Sequence, residues 1–245
     1  MFARVTLAQL GVMLCLTCTA QTNASRPLGD MGLAVYRTPA ITHTSDKTNV
    51  LLPYVFADYG NFFARVDTWG LKLMPMGAGN LEISARVSFE GYKAAGYSGI
   101  EDRAAPVPLG LSTFQETPYG AFFVYAFHDA TSRGSLIDAM YAAEFKLGSI
   151  RVYPQFGFER RSARYVTHLY GVSASESEIS HLPSYNASHS VSPNMGLAFE
   201  YPLENNYGFT LQVRKKWLDQ SITNSPLVNT KSQTSGFLAL TRSFK

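Results

Sequence analysis

Residues 81–90 read LEISARVSFE and alternate strictly between apolar and polar side chains. Successive side chains of an extended strand point to opposite faces of a sheet, so the alternation predicts a strand with one apolar and one polar face. The polar face includes Glu82 and Arg86, which place charges of both signs well inside the segment. The same two-residue pattern recurs in four further segments: 137–147, 150–159, 194–201 and 207–214.

The length and the internal charges of these segments favour a membrane barrel over a soluble β-sandwich, which would also alternate. The segments have 8 to 11 residues, close to the roughly 9–11 that a tilted strand needs to cross a bilayer and longer than an average strand. A Lys or Arg on the lipid face costs roughly 2–4 kcal/mol at the midplane, whereas a charge that faces a lumen can be paired. We therefore predict an all-β fold, a transmembrane antiparallel up-and-down β-barrel.

The N-terminus has the composition of a secretory signal peptide, with an apolar stretch at 5–16 followed by small residues. An anchoring helix is the weaker interpretation, because the stretch is shorter than the ~20 apolar residues that span a bilayer. We predict a signal peptide over residues 1–20, cleaved after Ala20 or at the latest after Ala24. The remaining chain, 25–245, would be exported and inserted as a barrel in the outer membrane of a Gram-negative bacterium, in contact with its lipid.

Composition excludes several classes of function. Removal of the signal peptide would remove both cysteines, Cys15 and Cys18, and with them any disulfide or cysteine-ligated metal site. The formal net charge of +3 is too balanced to indicate a nucleic-acid partner. Aromatic residues make up 13% of the chain, which favours strands and the interfacial girdles of membrane barrels.

The number of strands follows from the topology of such barrels. They have an even number of strands, short turns in the periplasm and long loops outside. Besides the alternating segments, five others are candidate strands: 31–38, 49–57, 62–73, 119–128 and 233–244. Ten strands satisfy the rule if 93–118, which has the Gly and Pro content of a loop, is one periplasmic connection. If 107–114 is instead a strand, the count becomes odd. An even number then requires that another strand has been missed, which gives a total of twelve. We favour ten, with 161–189 a long outer loop and 93–118 a candidate periplasmic contact.

The charges on the polar faces would lie inside the barrel. They either line a conducting path or pair across the lumen and largely fill it, and we favour the filled lumen because a small barrel leaves little room beyond its side chains. The predicted inward charges are Arg65, Asp67, Glu82, Arg86, Glu90, Asp138, Glu144, Lys146, Arg151, Glu159, Glu200 and Arg214.

Residues that could perform chemistry are sparse. The five histidines are His43, His128, His168, His181 and His189, and none has the spacing of a metal-binding motif. The last three share one predicted outer loop, and we interpret them as part of a solvated loop. A hydrolase would need a Ser activated by His and oriented by a third group; Ser132 and His128 flank Asp129, but 129–135 has the composition of a turn. We expect no catalytic, cofactor-binding or metal-binding residues, and a protein that is not an enzyme.

Several local motifs, in order along the chain, carry a resemblance to a known family. They are GLAVYR (32–37), LPYV (52–55), FFAR (62–65), YGVS (170–173), LPSYNA (182–187), SPLV (225–228) and the final strand QTSGFLALTRSF (233–244). Together they resemble the MltA-interacting protein (MipA)/OmpV family of Gram-negative outer-membrane barrels, with 170–187 the most specific segment. The chain departs from the family pattern in two ways. Phe244, the aromatic residue expected at the end of the last strand, is followed by Lys245. Arg242 occupies a position that is usually apolar.

The resemblance implies a non-catalytic role. The family's named member is a scaffold that joins a lytic murein transglycosylase to a peptidoglycan synthase, which implies a scaffold or anchor for peptidoglycan-remodelling enzymes in the cell wall. Other members imply the alternative of a small porin-like channel or surface antigen that responds to solutes or osmolarity. An outer-membrane hydrolase is a less favoured alternative.

Overall fold

The structure is a computed structural model that describes residues 27–42, 49–94 and 97–244. The predicted signal peptide and His43 lie outside these residues, so export and the cleavage site stay predictions. The strands are β1 (Leu28–Arg37), β2 (Asn49–Tyr59), β3 (Phe62–Arg65), β4 (Thr68–Met76), β5 (Gly79–Arg86), β6 (Pro108–Thr117), β7 (Gly120–Asp129), β8 (Ser135–Ala143), β9 (Phe145–Leu147), β10 (Ile150–Arg161), β11 (Ser190–Pro202), β12 (Tyr207–Trp217) and β13 (Ser232–Phe244).

The strands form one closed antiparallel barrel. Each strand pairs with its neighbours along the chain, and β1 also pairs with β13, so that Ala34 lies opposite both Leu52 of β2 and Ala239 of β13. β8 and β9 are separated only by Glu144, and both pair with β10, so they are two segments of one wall strand. Because the barrel is closed, it has no unpaired sheet edge. A β-structure inside a membrane must have no free edge, because lipid cannot hydrogen-bond to its backbone.

The wall has twelve strand positions, so the favoured count of ten is wrong and the alternative of twelve is correct. The first additional strand is β6, within the segment that was predicted to be a loop. The second arises because 62–73 is not one strand but the hairpin β3–β4. This hairpin turns at Val66, whose φ of 62° is unusual for a β-branched residue. The turn is held by the Val66 N–H, which donates to the Val55 carbonyl at 2.7 Å.

The predicted alternation of faces is confirmed. In β5, Glu82 and Ser84 are buried, whereas Ile83 between them is 48% exposed. β12 follows the same rule, with Thr210 buried and Leu211 exposed. The outer surface of the wall is therefore apolar and its lumen is largely polar, which is the arrangement of a barrel surrounded by lipid.

The two ends of the barrel differ in their connections. One end, called the inner end here, carries the start of β1, the end of β13 and the short connections, with two-residue turns at 60–61, 77–78, 118–119 and 148–149. The opposite, outer end carries the long connections 87–107, 162–189 and 218–231. In bacterial outer-membrane barrels the short turns face the periplasm. The prediction that 93–118 is a periplasmic connection is wrong. Residues 87–107 join β5 to β6 at the outer end, and residues 108–117 form β6.

Within the described residues the three α-helices lie at the outer end, α1 (Ala163–Tyr170), α2 (Ala174–Ser180) and α3 (Gln220–Thr223), whereas a single 3₁₀ turn (Glu204–Asn206) lies at the inner end. None of the helices in the described part of the chain is long and apolar enough to cross a membrane.

Candidate functional site

The three long connections form a compact cover over the outer mouth, which we call the outer cap (87–107, 162–189 and 218–231). Its centre is α1, which buries Tyr165, Val166 and Leu169. These residues pack in one apolar cluster with Tyr125 and Phe127, which point into the lumen from β7. The cap is thus anchored inside the barrel mouth by apolar contacts.

Local hydrogen bonds fix the two cap helices. α2 begins with a capping box, in which the Ser173 hydroxyl accepts from the Glu176 N–H and the Glu176 carboxylate accepts from the Ser173 N–H. The start of α1 is tied to β8 instead, because the Ser135 N–H donates to the Ser162 hydroxyl at 2.8 Å. The Ser162 N–H also donates to the Ser135 carbonyl at 2.9 Å, so helix and strand are held by two bonds.

The segments that carry the family resemblance meet inside the cap. Val172 and Tyr185 form a two-bond antiparallel bridge, with N···O distances of 2.9 and 2.8 Å. The Ser225 hydroxyl donates to the Tyr170 carbonyl at 2.6 Å, and Leu227 is fully buried beside Val172. These motifs therefore specify the packing of the cap.

The connection 87–107 is part of this cap. The Tyr92 hydroxyl donates to the Leu169 carbonyl at 2.5 Å, and Arg103 pairs with Glu176 at 2.8 Å. Nε2 of His168 lies 2.9 Å from the Ala104 carbonyl oxygen. The segment predicted to contact periplasmic proteins instead closes the opposite end of the barrel.

Glu176 is the electrostatic link between two cap segments. Burial alone would raise the pKa of its carboxyl, but hydrogen bonds from the Ser173 and Glu101 backbone and the Arg103 guanidinium outweigh that effect and lower the pKa below its ordinary value. Its charged form is therefore the form that the cap stabilises.

A cluster of four charged side chains lies where the cap meets the wall, with Glu90 from the cap connection 87–107 and the other three from the wall. Arg161 of β10 is 2% exposed and pairs with Glu90 at 2.5 Å and with Glu159 at 2.8 Å. Lys216 of β12 completes the cluster, 3.1 Å from Glu159 and 3.9 Å from Glu90. The arginine also lies 4.9 Å from the centroid of the Tyr165 ring, so the cluster contacts α1 as well.

Further ion pairs continue down the lumen. Arg86 of β5 reaches Asp138 of β8 at 2.7 Å, past the two intervening strands, and lies over the Tyr125 ring at 4.5 Å. At another level Arg65 pairs with Asp58 at 2.9 Å and lies within 5.2 Å of the centroids of three phenylalanine rings. Charged and aromatic side chains therefore occupy the lumen at several levels.

Most of the predicted inward charges do face the lumen. The exceptions lie outside the strands: Asp67 is in the β3–β4 turn, Glu90 is in the cap connection 87–107, and Glu144 is in the break between β8 and β9. Lys146 is on the lumenal side but 73% exposed at the inner end. Sequence alone does not predict Arg161 as the partner of Glu90, because Arg161 lies at the start of the predicted outer loop 161–189.

The residues considered for catalysis are not assembled as a hydrolytic site. Asp129 is fully buried and faces the lumen, whereas its neighbour His128 is exposed on the outer face of β7. The Ser132 hydroxyl donates directly to Asp129. The histidine is therefore not placed between the serine and the carboxylate, as activation of the serine requires.

The loop histidines are separated by their local bonds. His168 is on α1, and His181 ends α2 in a left-handed conformation with φ 60°. Among residues 27–42, 49–94 and 97–244 there is no group of three His, Cys, Asp or Glu side chains that could hold a metal ion.

The chain is similar in sequence to a known protein family and to known outer membrane proteins. A family model described as MltA-interacting protein MipA matches residues 31–244. The chain is 27% identical over 210 residues to the MltA-interacting protein of Escherichia coli K12, covering 83% of this chain and 79% of that protein. It is 26% identical over 149 residues to Omp26La of Vibrio anguillarum and to OmpV of Vibrio cholerae, both outer membrane proteins. These alignments cover 60% of this chain and 58% of each relative, so the chain spans less than two thirds of their length.

The family match includes nearly the whole wall and the complete cap, and confirms the resemblance that the sequence motifs indicated. This outer-membrane β-barrel belongs to the MltA-interacting protein MipA family.

Proposed function

We propose that this protein is a non-catalytic anchor in the outer membrane for peptidoglycan-remodelling enzymes, a lytic murein transglycosylase and a peptidoglycan synthase. The observation that carries the proposal is the occupied lumen, in which ion pairs such as Arg86–Asp138 lie beneath a packed cap. A barrel closed in this way offers its rims to partners instead of a path to solutes. The name of the Escherichia coli relative, MltA-interacting protein, supports the identity of one partner.

The inner end is the surface that a periplasmic enzyme would contact. Tyr119, in the turn between β6 and β7, is 78% exposed, and Leu147 at the neighbouring turn is 65% exposed. Exposed Tyr side chains are common at the centres of protein interfaces. This inner rim replaces 93–118 as the candidate contact surface.

Affinity capture from detergent-solubilised outer membranes tests the proposal. We expect the tagged wild-type barrel to recover a murein transglycosylase, and a variant with Tyr119→Ser and Leu147→Ser to recover much less. The matched control is Ile179→Ser, which removes a 61% exposed apolar side chain from α2 at the outer end. If the inner-rim variant recovers as much murein transglycosylase as wild type, the rim is not the contact surface. If the wild-type barrel recovers no murein enzyme, the anchor role is refuted.

The competing channel function is tested separately. Single-channel recording of the purified barrel in a planar bilayer is expected to show no large, stable conductance. A stable conductance that increases when the cap contact Tyr165 is replaced by Ala would instead support a porin-like function.

A further inference from the structure

The charges on the outer surface of the wall are all of one sign. Within the described strands, charged side chains face outward at four positions, and every one is basic: Arg37, Arg160, Lys215 and Arg242. The first three lie toward the outer end of their strands, whereas Arg242 lies at the inner end. The lumen, by contrast, contains both signs in pairs. No Asp or Glu faces outward in these strands, so their acidic residues face the lumen.

Three arginines concentrate on one sector of the outer rim, at β7, β8 and β10. Arg160 is the last outward residue of β10, directly above the apolar Phe158 and Phe156. Arg133 lies in the turn between β7 and β8, and Arg164 lies in the first turn of α1. All three are exposed, and within the described part of the chain none of them takes part in an ion pair.

The fold brings these arginines together for structural reasons. Gly134 packs against the start of α1 so closely that a methyl group there would lie 2.6 Å from the Tyr165 nitrogen. The paired bonds between Ser135 and Ser162 hold the same two segments in place. Between them is a shallow pocket of about 350 Å³, lined by His128, Arg133 and Arg164.

We propose that this arginine sector binds the phosphate groups of the glycolipid in the outer leaflet. That leaflet carries phosphorylated sugar headgroups at the level where an apolar barrel wall ends. Unpaired guanidinium groups at the same level match phosphate in charge and in hydrogen-bond geometry. A position at the interface also avoids most of the cost of a charge facing lipid. The proposal is independent of the anchor function, because it concerns the opposite end of the barrel.

Binding of labelled lipid A to the full-length mature barrel in phosphatidylcholine nanodiscs tests this inference. We expect wild type to bind lipid A with two phosphates more tightly than the fully dephosphorylated form. Each basic residue near a charged headgroup contributes about a fivefold change in affinity, so the triple variant R133Q/R160Q/R164Q should bind on the order of a hundredfold more weakly. It should also lose the preference for the phosphorylated form.

Matched variants separate the specific effect from general loss of charge or of folding. R242Q removes an outward arginine at the opposite end and should bind like wild type, and R160K keeps the charge and should retain most of the affinity. The fold of each variant is checked by its mobility on a gel without heating. If the triple variant does not fold, the single variants R133Q and R164Q should each weaken binding about fivefold. Wild type that does not distinguish the two lipids would overturn the proposal, and so would a folded triple variant, or folded R133Q and R164Q, that binds within twofold of wild type.

Discussion

Replacement of Arg161 by Leu is expected to destabilise the barrel far more than the loss of any exposed charge. The Arg161 side chain is 2% exposed, and its removal leaves the carboxylates of Glu90 and Glu159 with Lys216 as their single counter-ion. Removing one partner of a buried ion pair typically costs about 3–5 kcal/mol, because the remaining charge stays buried without compensation. We expect a loss of that size in the free energy of unfolding.

The matched control lies on the same strand and the same face. Arg151 pairs with Glu200 at 2.9 Å, but its side chain is 50% exposed at the inner end. A solvated pair contributes about 0–1 kcal/mol, so Arg151→Gln should have little effect. A rescue variant, Arg161→Leu with Glu159→Leu, should recover much of the stability, because Glu90 and Lys216 remain as a balanced pair.

Equilibrium urea unfolding in phospholipid vesicles, followed by the fluorescence of the two tryptophans, measures these differences. An Arg161→Leu variant that loses no more stability than Arg151→Gln would contradict a buried cluster. That result would mean that water reaches the cluster and that the lumen is open at this level.

Three other predictions concern the cap and the N-terminus. The folded-state pKa of Glu176 is lowered, so its contribution to cap stability is full above the ordinary value of 4.5 and is lost as the pH falls through the lowered pKa. Pepsin cleavage within 163–180 should therefore increase on acidification. The variant Glu176→Gln should be cleaved readily at every pH tested. Phe127→Ala should cost about 3–5 kcal/mol in urea unfolding, whereas Phe156→Ala, on the outer face, should cost much less. N-terminal sequencing of the protein from outer membranes should begin at Gln21 or Ser25, and an intact Met1 would contradict the signal peptide.

The barrel class could be predicted because most strands keep polar and apolar residues strictly apart. β5 and β12 alternate cleanly, since their lumenal residues are polar or charged. β7 alternates poorly for a physical reason: its lumenal residues Phe123, Tyr125 and Phe127 are aromatic because they pack against the cap. Aromatic residues at three successive inward positions are the signal that could have located the buried cap contact.

The strand count could not be obtained in the same way. The β3–β4 turn contains neither Gly nor Pro, and Val66 adopts its left-handed conformation because tertiary contacts hold it there. With this turn missed, recognition of β6 alone gives an odd number of strands, so the even-number rule favours 93–118 as a single connection and places it at the wrong end of the barrel. The pairing of Glu90 with Arg161, 71 residues apart in sequence, depends on closure and has no local signal.

Lipid contacts one face of each strand, and most charged side chains of the strands lie within the closed lumen. Single cysteines introduced along β12 into the mature chain, labelled with a fluorophore and exposed to a quencher attached to the lipid chains, test this directly. We predict strong quenching at Phe209, Leu211 and Val213 and weak quenching at Thr210 and Gln212. Equal quenching at adjacent positions, or none at any of them, would contradict the membrane barrel.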